Sequence, residues 1–489
     1  MRESQSNSPS SLLLDLDGPG PLHARLAGAL RSAIRDGRLR PDSALPPSRV
    51  LAAELGCSRW VVTQAYAELA IAGYLETRTG SGTWVRPLDG RSGQAGPAPL
   101  PASRASASRA PARRAPASRA PTARVPTVRE PGIDMAPGLP DLRLFPVARW
   151  AAAIRSAAAG LTTADLGYPD PAGHRVLREA VAEYLARVRG ADLGPGDLTI
   201  CGSATDGIAR ICRALAREGS PAVAVEDPGW QRVREVAAAA GLEVIAIPVD
   251  HEGLRADLLT GTRDIGAVIL TPAHHFPSGV VLSPARRLAL LDWARHTGAL
   301  VVEDDYDAEF RYDRRAVATL QGAAPRSVAL IGSVSKTLSP AVGIGWIVSP
   351  PRWTPLLREA APPPVLDQLA FASFLRAGSY DRHLRSARKR YSDRRDAVVR
   401  EITHRLPRAR VSGARAGLHL VVGFGGDLDC DAVRGHARTL GVRVVSLSRY
   451  QVHGGEPGLV IGYGNLADHE VGAAVASLAA AVARAGGLA

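Results

Sequence analysis

Almost every positive charge in this chain is written as arginine: of 60 basic residues only Lys336 and Lys389 are lysines. An arginine stays charged, whereas a lysine can lose its proton and condense with an aldehyde. Lys336 stands in GSVSKTLSP, just after the apolar run Val328–Ile331. At the mouth of an α/β sheet such a lysine could form an imine with an aldehyde cofactor, and the hydroxyls of Ser333 and Ser335 could donate to a phosphate. The competing reading is an exposed loop lysine, which the scarcity of lysine disfavours. EDDYDAEF, residues 303–310, follows the apolar run Ala299–Val302. A pyridine cofactor needs a carboxylate at its ring nitrogen, to keep it protonated, and a donor to its phenolic oxygen. Asp304 and Tyr306 could supply these, although an isolated Asp-Asp-Tyr is more often a solvated loop. GSATDG, residues 202–207, follows a strand pattern and opens a helix, where backbone N–H groups cradle phosphate. EDPGWQR, residues 226–232, puts Trp230 where it could stack on a flat ring, or where it is simply a core tryptophan.

A second chemistry is written near the N-terminus. Residues 51–69 read LAAELGCSRWVVTQAYAEL. A short helix ends near Gly56 and Ser58 can cap the next. Val62, Ala65, Tyr66 and Leu69 recur at helical spacing and face a core. Ser58, Arg59 and Thr63 then lie on the other side near the helix start, where a recognition helix meets base edges. The planar fork of arginine matches two acceptors on guanine. Tyr74–Val85 reads as two strands around a glycine turn.

These groups need elements to position them. Leu198–Cys201, Ala222–Val225, Val244–Ile247, Ala267–Leu270, Ala299–Val302, Val328–Ile331 and Trp346–Val348 are short and apolar on both faces, with helical patterns such as Ala285–His296 between them. That pattern predicts a mostly parallel sheet covered by helices. The chain divides into a flexible tail over 1–20, a compact domain over 21–87, a linker over 88–131 and an α/β domain over 132–489, with a smaller lobe over about 380–489. The linker is Ala, Pro, Ser and Arg and cannot bury enough apolar surface to fold. A coil of that length spans roughly 35–40 Å. Its arginines (Arg104, Arg109, Arg113, Arg114, Arg119, Arg124) suit a soluble tether or nonspecific contact with DNA phosphates.

Net charge is +13, a balance that favours polyanionic partners without proving one. No apolar run reaches the roughly 18 residues of a membrane span, and Met1–Ser11 lacks the apolar core of a signal peptide. Cys57, Cys201, Cys212 and Cys430 show neither metal-ligand nor disulfide spacing, and read as buried, reduced thiols of a cytoplasmic protein.

Residues 45–85, LPPSRVLAAELGCSRWVVTQAYAELAIAGYLETRTGSGTWV, resemble the GntR family of winged helix-turn-helix regulators. The resemblance implies DNA contacts from Arg49, Ser58, Arg59, Thr63 and the wing glycine Gly80. The family often has Thr before the buried valine, where this chain has Val61 and no hydroxyl. The motifs GYPDPAGH (167–174), EDPGW (226–230), TPAHHFPSG (271–279), EDDYDAEF (303–310), SVSKTLSP (333–340) and GLHL (417–420) resemble fold-type I enzymes that use pyridoxal phosphate (PLP). Together with the N-terminal motif they resemble the MocR/GabR subfamily of GntR regulators. That resemblance implies a Schiff base at Lys336, pyridine pairing by Asp304 and a phenolic-oxygen contact from Tyr306. It also implies stacking by Trp230, a phosphate loop of Ser203, Ala204 and Thr205, and Tyr168 reaching the phosphate of a partner subunit. Arg449 and Arg232 match arginines that hold an effector carboxylate. Two departures stand out: Gly343 occupies the place of a phosphate-binding arginine, and His275 that of a glutamine.

The expectation is a multidomain chain, a winged helix-turn-helix joined to a fold-type I aminotransferase-like domain. It is expected to act as a cytoplasmic homodimer that binds double-stranded promoter DNA and no membrane or metal. It would hold PLP on Lys336 and sense an amino compound or PLP itself. Two alternatives remain: an aminotransferase that carries a DNA-binding domain, and a DNA-binding protein whose aminotransferase-like domain has lost its cofactor and only dimerises.

Overall fold

The structure is a computed structural model that describes Leu16 and residues 22–71, 74–78, 82–86, 132–261, 264–313, 317–426 and 428–486. The linker over 88–131, nearly all of the tail over 1–20, and Gly80 lie outside the described residues.

Three helices and a hairpin form the N-terminal domain: α1 (Leu22–Arg35), α2 (Ser48–Glu54), α3 (Arg59–Ile71), β1 (Leu75–Arg78) and β2 (Gly82–Val85). The strands pair antiparallel, with Leu75 opposite Val85, and a bridge from Ala44 to Trp84 extends the hairpin. Val62, Ala65, Tyr66 and Leu69 of α3 are buried against Leu26, Leu30 and Leu51, as their spacing predicts. Ser58, Arg59 and Thr63 are exposed. Each buried valine or leucine of this core contributes about 1.5–3 kcal/mol, which is what a domain of this size depends on.

The second domain begins with β3 (Ile133–Asp134), α4 (Val147–Ala159) and α5 (Arg175–Arg189). The sheet follows: β4 (Leu198–Cys201), α6 (Ala204–Arg217), β5 (Ala222–Asp227), α7 (Gln231–Ala239), β6 (Glu243–Asp250), β7 (Gly253–Leu254), β8 (Ile265–Leu270), α8 (Pro284–Thr297), β9 (Leu300–Asp304), α9 (Leu320–Ala323), β10 (Val328–Ser333) and β11 (Gly345–Val348). Its strand order is β4-β11-β10-β9-β8-β5-β6-β7. The run β10-β9-β8-β5-β6 is parallel, and β11 runs against both of its neighbours. All seven expected strands are present, most of them a residue or two longer than the apolar runs. β4, β5, β9, β10 and β11 are buried along their whole length, as a sheet covered on both faces requires. Local signals set the helix ends next to the site. Ser203 caps α6 by accepting from the N–H of Asp206, and Ser283 caps α8, which Gly298 ends in a left-handed conformation (φ 73°).

The remaining elements are α10 (Val365–Arg376), α11 (Ser379–Arg405), β12 (Arg410–Ser412), β13 (His419–Gly423), α12 (Cys430–Thr439), β14 (Val442–Arg443), β15 (Val445–Ser446), β16 (Gly458–Gly462) and α13 (Val471–Arg484). A four-stranded sheet, β12-β13-β16-β15, carries this lobe. The lobe draws in more than the C-terminal stretch, because β3 pairs in parallel with β14, Ile133 beside Val442. Cys201, Cys212 and Cys430 are buried free thiols, whereas Cys57 is only half-buried. Among the described residues no helix is long and apolar enough to cross a membrane.

The two domains touch. The hydroxyl of Tyr74 donates to the carbonyl of Gly322 at 2.6 Å, and Ala318 packs into the N-terminal domain's apolar core.

Candidate cofactor site and DNA-reading surface

Parallel strands end on one edge of their sheet, so their last residues and the loops beyond them share a rim. Ser333, Gly345 and Cys201 are register partners across β10, β11 and β4, and Ile331 lies beside Asp304. This alignment gathers the 203–205 loop, Ser333–Lys336 and Asp304 at the carboxyl edge, where open α/β sheets bind ligands. Ser333 is buried, while Ser335 and Lys336 are half-buried.

Asp304 is buried, and its Oδ1 has no hydrogen-bond partner among the described residues. Burial, reinforced by the neighbouring Asp305, pushes its carboxyl up to about 7, while Lys336 pulls the other way. Burial lowers the Lys336 ammonium, opposed by Asp304 and Asp307. The Lys336 Nζ donates to the carbonyl of Gly138. The Tyr306 hydroxyl lies 3.1 Å from His274 Nδ1, which is also 2.9 Å from Asp307 Oδ2. Burial, then Asp307, drives the Tyr306 phenol well up, so it stays protonated and able to donate. Trp230 caps α7 and lines a cavity with Glu226, Thr271, Phe276 and Asp304.

Other expected residues are not drawn in. Tyr168 is fully exposed (104%) and turns away from its own domain. Arg232 is exposed and pairs with Glu235 at 3.0 Å, and Arg449 is exposed on the turn Leu447–Tyr450. That turn is nevertheless tied to the cavity wall. The N–H of Gly229 donates to the carbonyl of Tyr450 at 2.9 Å, and Arg234, which the motifs did not single out, donates to the same carbonyl at 3.2 Å.

Sequence reasoning also missed a buried polar shell. Glu226 Oε2 accepts from the N–H and hydroxyl of Thr271 at 2.9 and 2.7 Å, and burial pushes its carboxyl up to about 8. His275 Nε2 sits 3.6 Å from that oxygen, and burial holds the imidazole neutral down to about 3. His274, Asp307 and His419 cluster closely enough to hold a metal ion, with donor atoms within 4.8 Å of one another. The His-His pair in TPAHHFPSG was the available signal, and its spacing alone names no partner. On the other side of the β9 end, Asp305 forms a two-pronged ion pair with Arg189 at 2.7 and 2.8 Å, and Arg189 in turn donates to the carbonyl of Val317. Gly343 adopts a left-handed conformation (φ 65°) with open space around it.

In the N-terminal domain Arg49, Ser58, Arg59 and Thr63 are all exposed. Arg59 Nε donates to Ser48 Oγ at 3.4 Å, which links the starts of α2 and α3. The Thr63 hydroxyl donates back to the carbonyl of Arg59.

The chain matches the aminotransferase class I and II family over residues 131–459 and the bacterial regulatory proteins of the gntR family over residues 22–85. It is 31% identical over 471 residues to the probable rhizopine catabolism regulatory protein MocR of Rhizobium meliloti, covering 93% of this chain and 92% of that one. The chain belongs to the MocR-type regulators of the GntR family. Such a MocR-type regulator joins a DNA-binding helix-turn-helix to an aminotransferase-like domain. It is also 30% identical to the HTH-type pyridoxine biosynthesis transcriptional regulator PdxR of Corynebacterium glutamicum, covering 91% of this chain and 93% of that one. Solved structures share the fold of the second domain. They include an archaeal alanine:glyoxylate aminotransferase (TM-score 0.67, 22% identity, 72% of this chain and 91% of that one) and an aspartate aminotransferase mutant from Thermus thermophilus (TM-score 0.63, 20% identity, 72% and 91%). The aminotransferase class I and II fold is that of a PLP-dependent family.

Proposed function

We propose that this regulator binds promoter DNA as a homodimer in the cytoplasm, holds PLP on Lys336, and changes its DNA affinity in response to an amino compound or to PLP itself. The observation that carries this reading is a buried Asp304 whose Oδ1 has no partner among the described residues and whose charge acts on Lys336 at the same sheet edge. A buried polar atom without a partner costs about 1–3 kcal/mol, and a protonated ring nitrogen would remove that cost. When bound, PLP supplies an aldehyde that condenses with amines and a ring that withdraws electrons.

This chain's own residues set the terms. Lys336, with its ammonium destabilised by burial, is primed to act as a free amine. Asp304 would hold the proton on the ring nitrogen, and Tyr306 would donate to the phenolic oxygen. Trp230 would cover the ring face. The loop of Ser203, Ala204 and Thr205, with Ser333 and Ser335, would take the phosphate at the start of α6. Arg449 and Arg232 would meet an effector carboxylate only after reorienting, since Arg232 is now paired with Glu235. Tyr168, Leu166 and Val147 are exposed apolar groups on one stretch of chain. A second copy would cover them, with Tyr168 reaching the partner's site.

The test is direct. PLP is added to the cofactor-free protein, the adduct is reduced with borohydride, and the labelled peptide is mapped. Label at Lys336 and a PLP-dependent change in affinity for promoter DNA support the reading. Label at Lys389, or none, points to a cofactor-free dimerisation domain. Steady turnover of amino acid with keto acid would make it an enzyme.

A further inference from the structure

Trp60 is the most exposed tryptophan of the chain, at 61%. It is the second residue of α3, next to Arg59. At about 100° per residue, Arg59, Thr63, Ala67 and Trp60 fall within one arc of about 100° on the helix. All four are exposed, and the arc is centred about 120° from that of the buried Val62, Ala65, Tyr66 and Leu69. None of the four is acidic, and the nearby Glu68 is committed to Arg31 at 3.4 Å. The indole is braced: the ring of His23 in α1 meets it edge to face at 5.4 Å and 73°. An indole held in place at the surface offers a rigid apolar face with a polar N–H edge, the kind of side chain that interfaces recruit.

DNA is the occupant that the surroundings select. Arg59 precedes Trp60 in α3 and reaches Ser48, the chain neighbour of Arg49, and both exposed arginines carry charge complementary to phosphate. Among major-groove features, the one apolar group is the C5-methyl of thymine. Arg59 can read guanine acceptors, and an apolar neighbour on the same helix face supplies what arginine cannot.

Resting on the DNA-binding reading above, we propose that Trp60 is a specificity-determining residue that packs against a thymine methyl group in the major groove, one step along from the base that Arg59 reads. The thymine methyl is thereby buried between the indole and the small side chains of Thr63 and Ala67.

The experiment uses the full-length chain and a duplex selected with it from a random-sequence library. Each thymine is then replaced in turn by deoxyuridine, which lacks only the methyl. One position should weaken wild-type binding about fourfold, the worth of one buried methyl group. Trp60→Ala should bind that duplex more weakly and lose the thymine preference there. The slope of log affinity against log salt should not change, because no phosphate contact is removed. Trp60→Phe should keep the preference, and Arg59→Ala should keep it too while losing discrimination at the neighbouring base. Indifference of the wild type to every deoxyuridine substitution overturns the inference and leaves DNA binding intact. So does a thymine preference that survives in Trp60→Ala. A change of oligomeric state in Trp60→Ala with unaltered DNA binding makes the indole a protein contact and also overturns it. Failure to enrich any duplex removes the DNA-binding reading itself.

Discussion

Tyr74 and Gly322 are joined by a buried hydrogen bond of 2.6 Å across 248 residues of chain, the phenol of the DNA-reading domain donating to a carbonyl of the sheet domain. The shelf that carries Gly322 is itself pinned to the end of β9. Arg189 pairs with Asp305 and donates to Val317, and Arg287 donates to the carbonyl of Ala318 at 3.0 Å. Asp305 follows Asp304 directly, so the cofactor side and the reader side of the domain meet at consecutive residues. Tyr74→Phe should weaken this docking by about 0.5–1.5 kcal/mol, the worth of one hydrogen bond. Hydrogen exchange of residues 318–322 should then lose protection while the sheet strands keep theirs.

Stability should fall as pH rises through neutrality. Asp304 and Glu226 are pushed up to about 7 and about 8, and Glu303 and Glu309 to about 7. A raised carboxyl binds protons in the folded state that the unfolded chain has already released, so its stabilisation is present in acid and lost on passing the folded value. His275 and His419, held low by burial, act in the opposite sense but finish near their ordinary 6.5. The four carboxyls outnumber the two imidazoles, so the decline begins above the ordinary carboxyl range near 4.5, steepens once the imidazoles finish near 6.5 and is complete by about pH 8, with up to about 1.4 kcal/mol per pH unit for each group. Lys336, also held low by burial, works against the trend toward its alkaline end. Thermal unfolding of the cofactor-free protein should show the decline, and Asp304→Asn should flatten it.

Gly343→Arg should tighten PLP binding at some expense of folding stability. A charge-assisted hydrogen bond is worth about 1.5–3 kcal/mol. The space around Gly343 is open, but φ is 65°, and a side chain there costs about 1–2 kcal/mol. That cost is shared by the free and bound protein and falls on folding stability, so binding should gain the full amount of about 1.5–3 kcal/mol, roughly tenfold to hundredfold in affinity by fluorescence titration. The weak native grip that this implies would let occupancy follow free PLP. Adding PLP alone should then change DNA affinity with no amino compound present; indifference would leave an amino effector as the signal.

Arg59→Ala should relax base preference by about 1–3 kcal/mol. The contact with Ser48, at 3.4 Å, is long for a hydrogen bond and holds the guanidinium only weakly in the free protein. Stability should therefore change little while the ratio of specific to scrambled duplex binding, measured at fixed salt, falls.

Much of this was legible in the sequence because the signals are local. Runs of apolar residues marked seven of the eight strands of the main sheet, all but the two-residue β7, since a strand buried on both faces has no other composition to use. The helical spacing of Val62, Ala65, Tyr66 and Leu69 told which face of α3 is buried, and hence that Arg59 faces out. The scarcity of lysine singled out Lys336. What local signals cannot carry is which distant residue stands opposite. Asp304 and Asp305 are neighbours of identical type, yet one keeps an Oδ1 with no partner among the described residues and the other is locked to Arg189, 116 residues away. Only the register of β9 in the sheet separates them, because successive residues at a strand end point to opposite faces. The approach of His275 to Glu226, the pairing of β3 with β14, and the seat of Tyr74 on Gly322 arise in the same way. Each joins segments far apart in the chain, and tertiary packing alone brings them together.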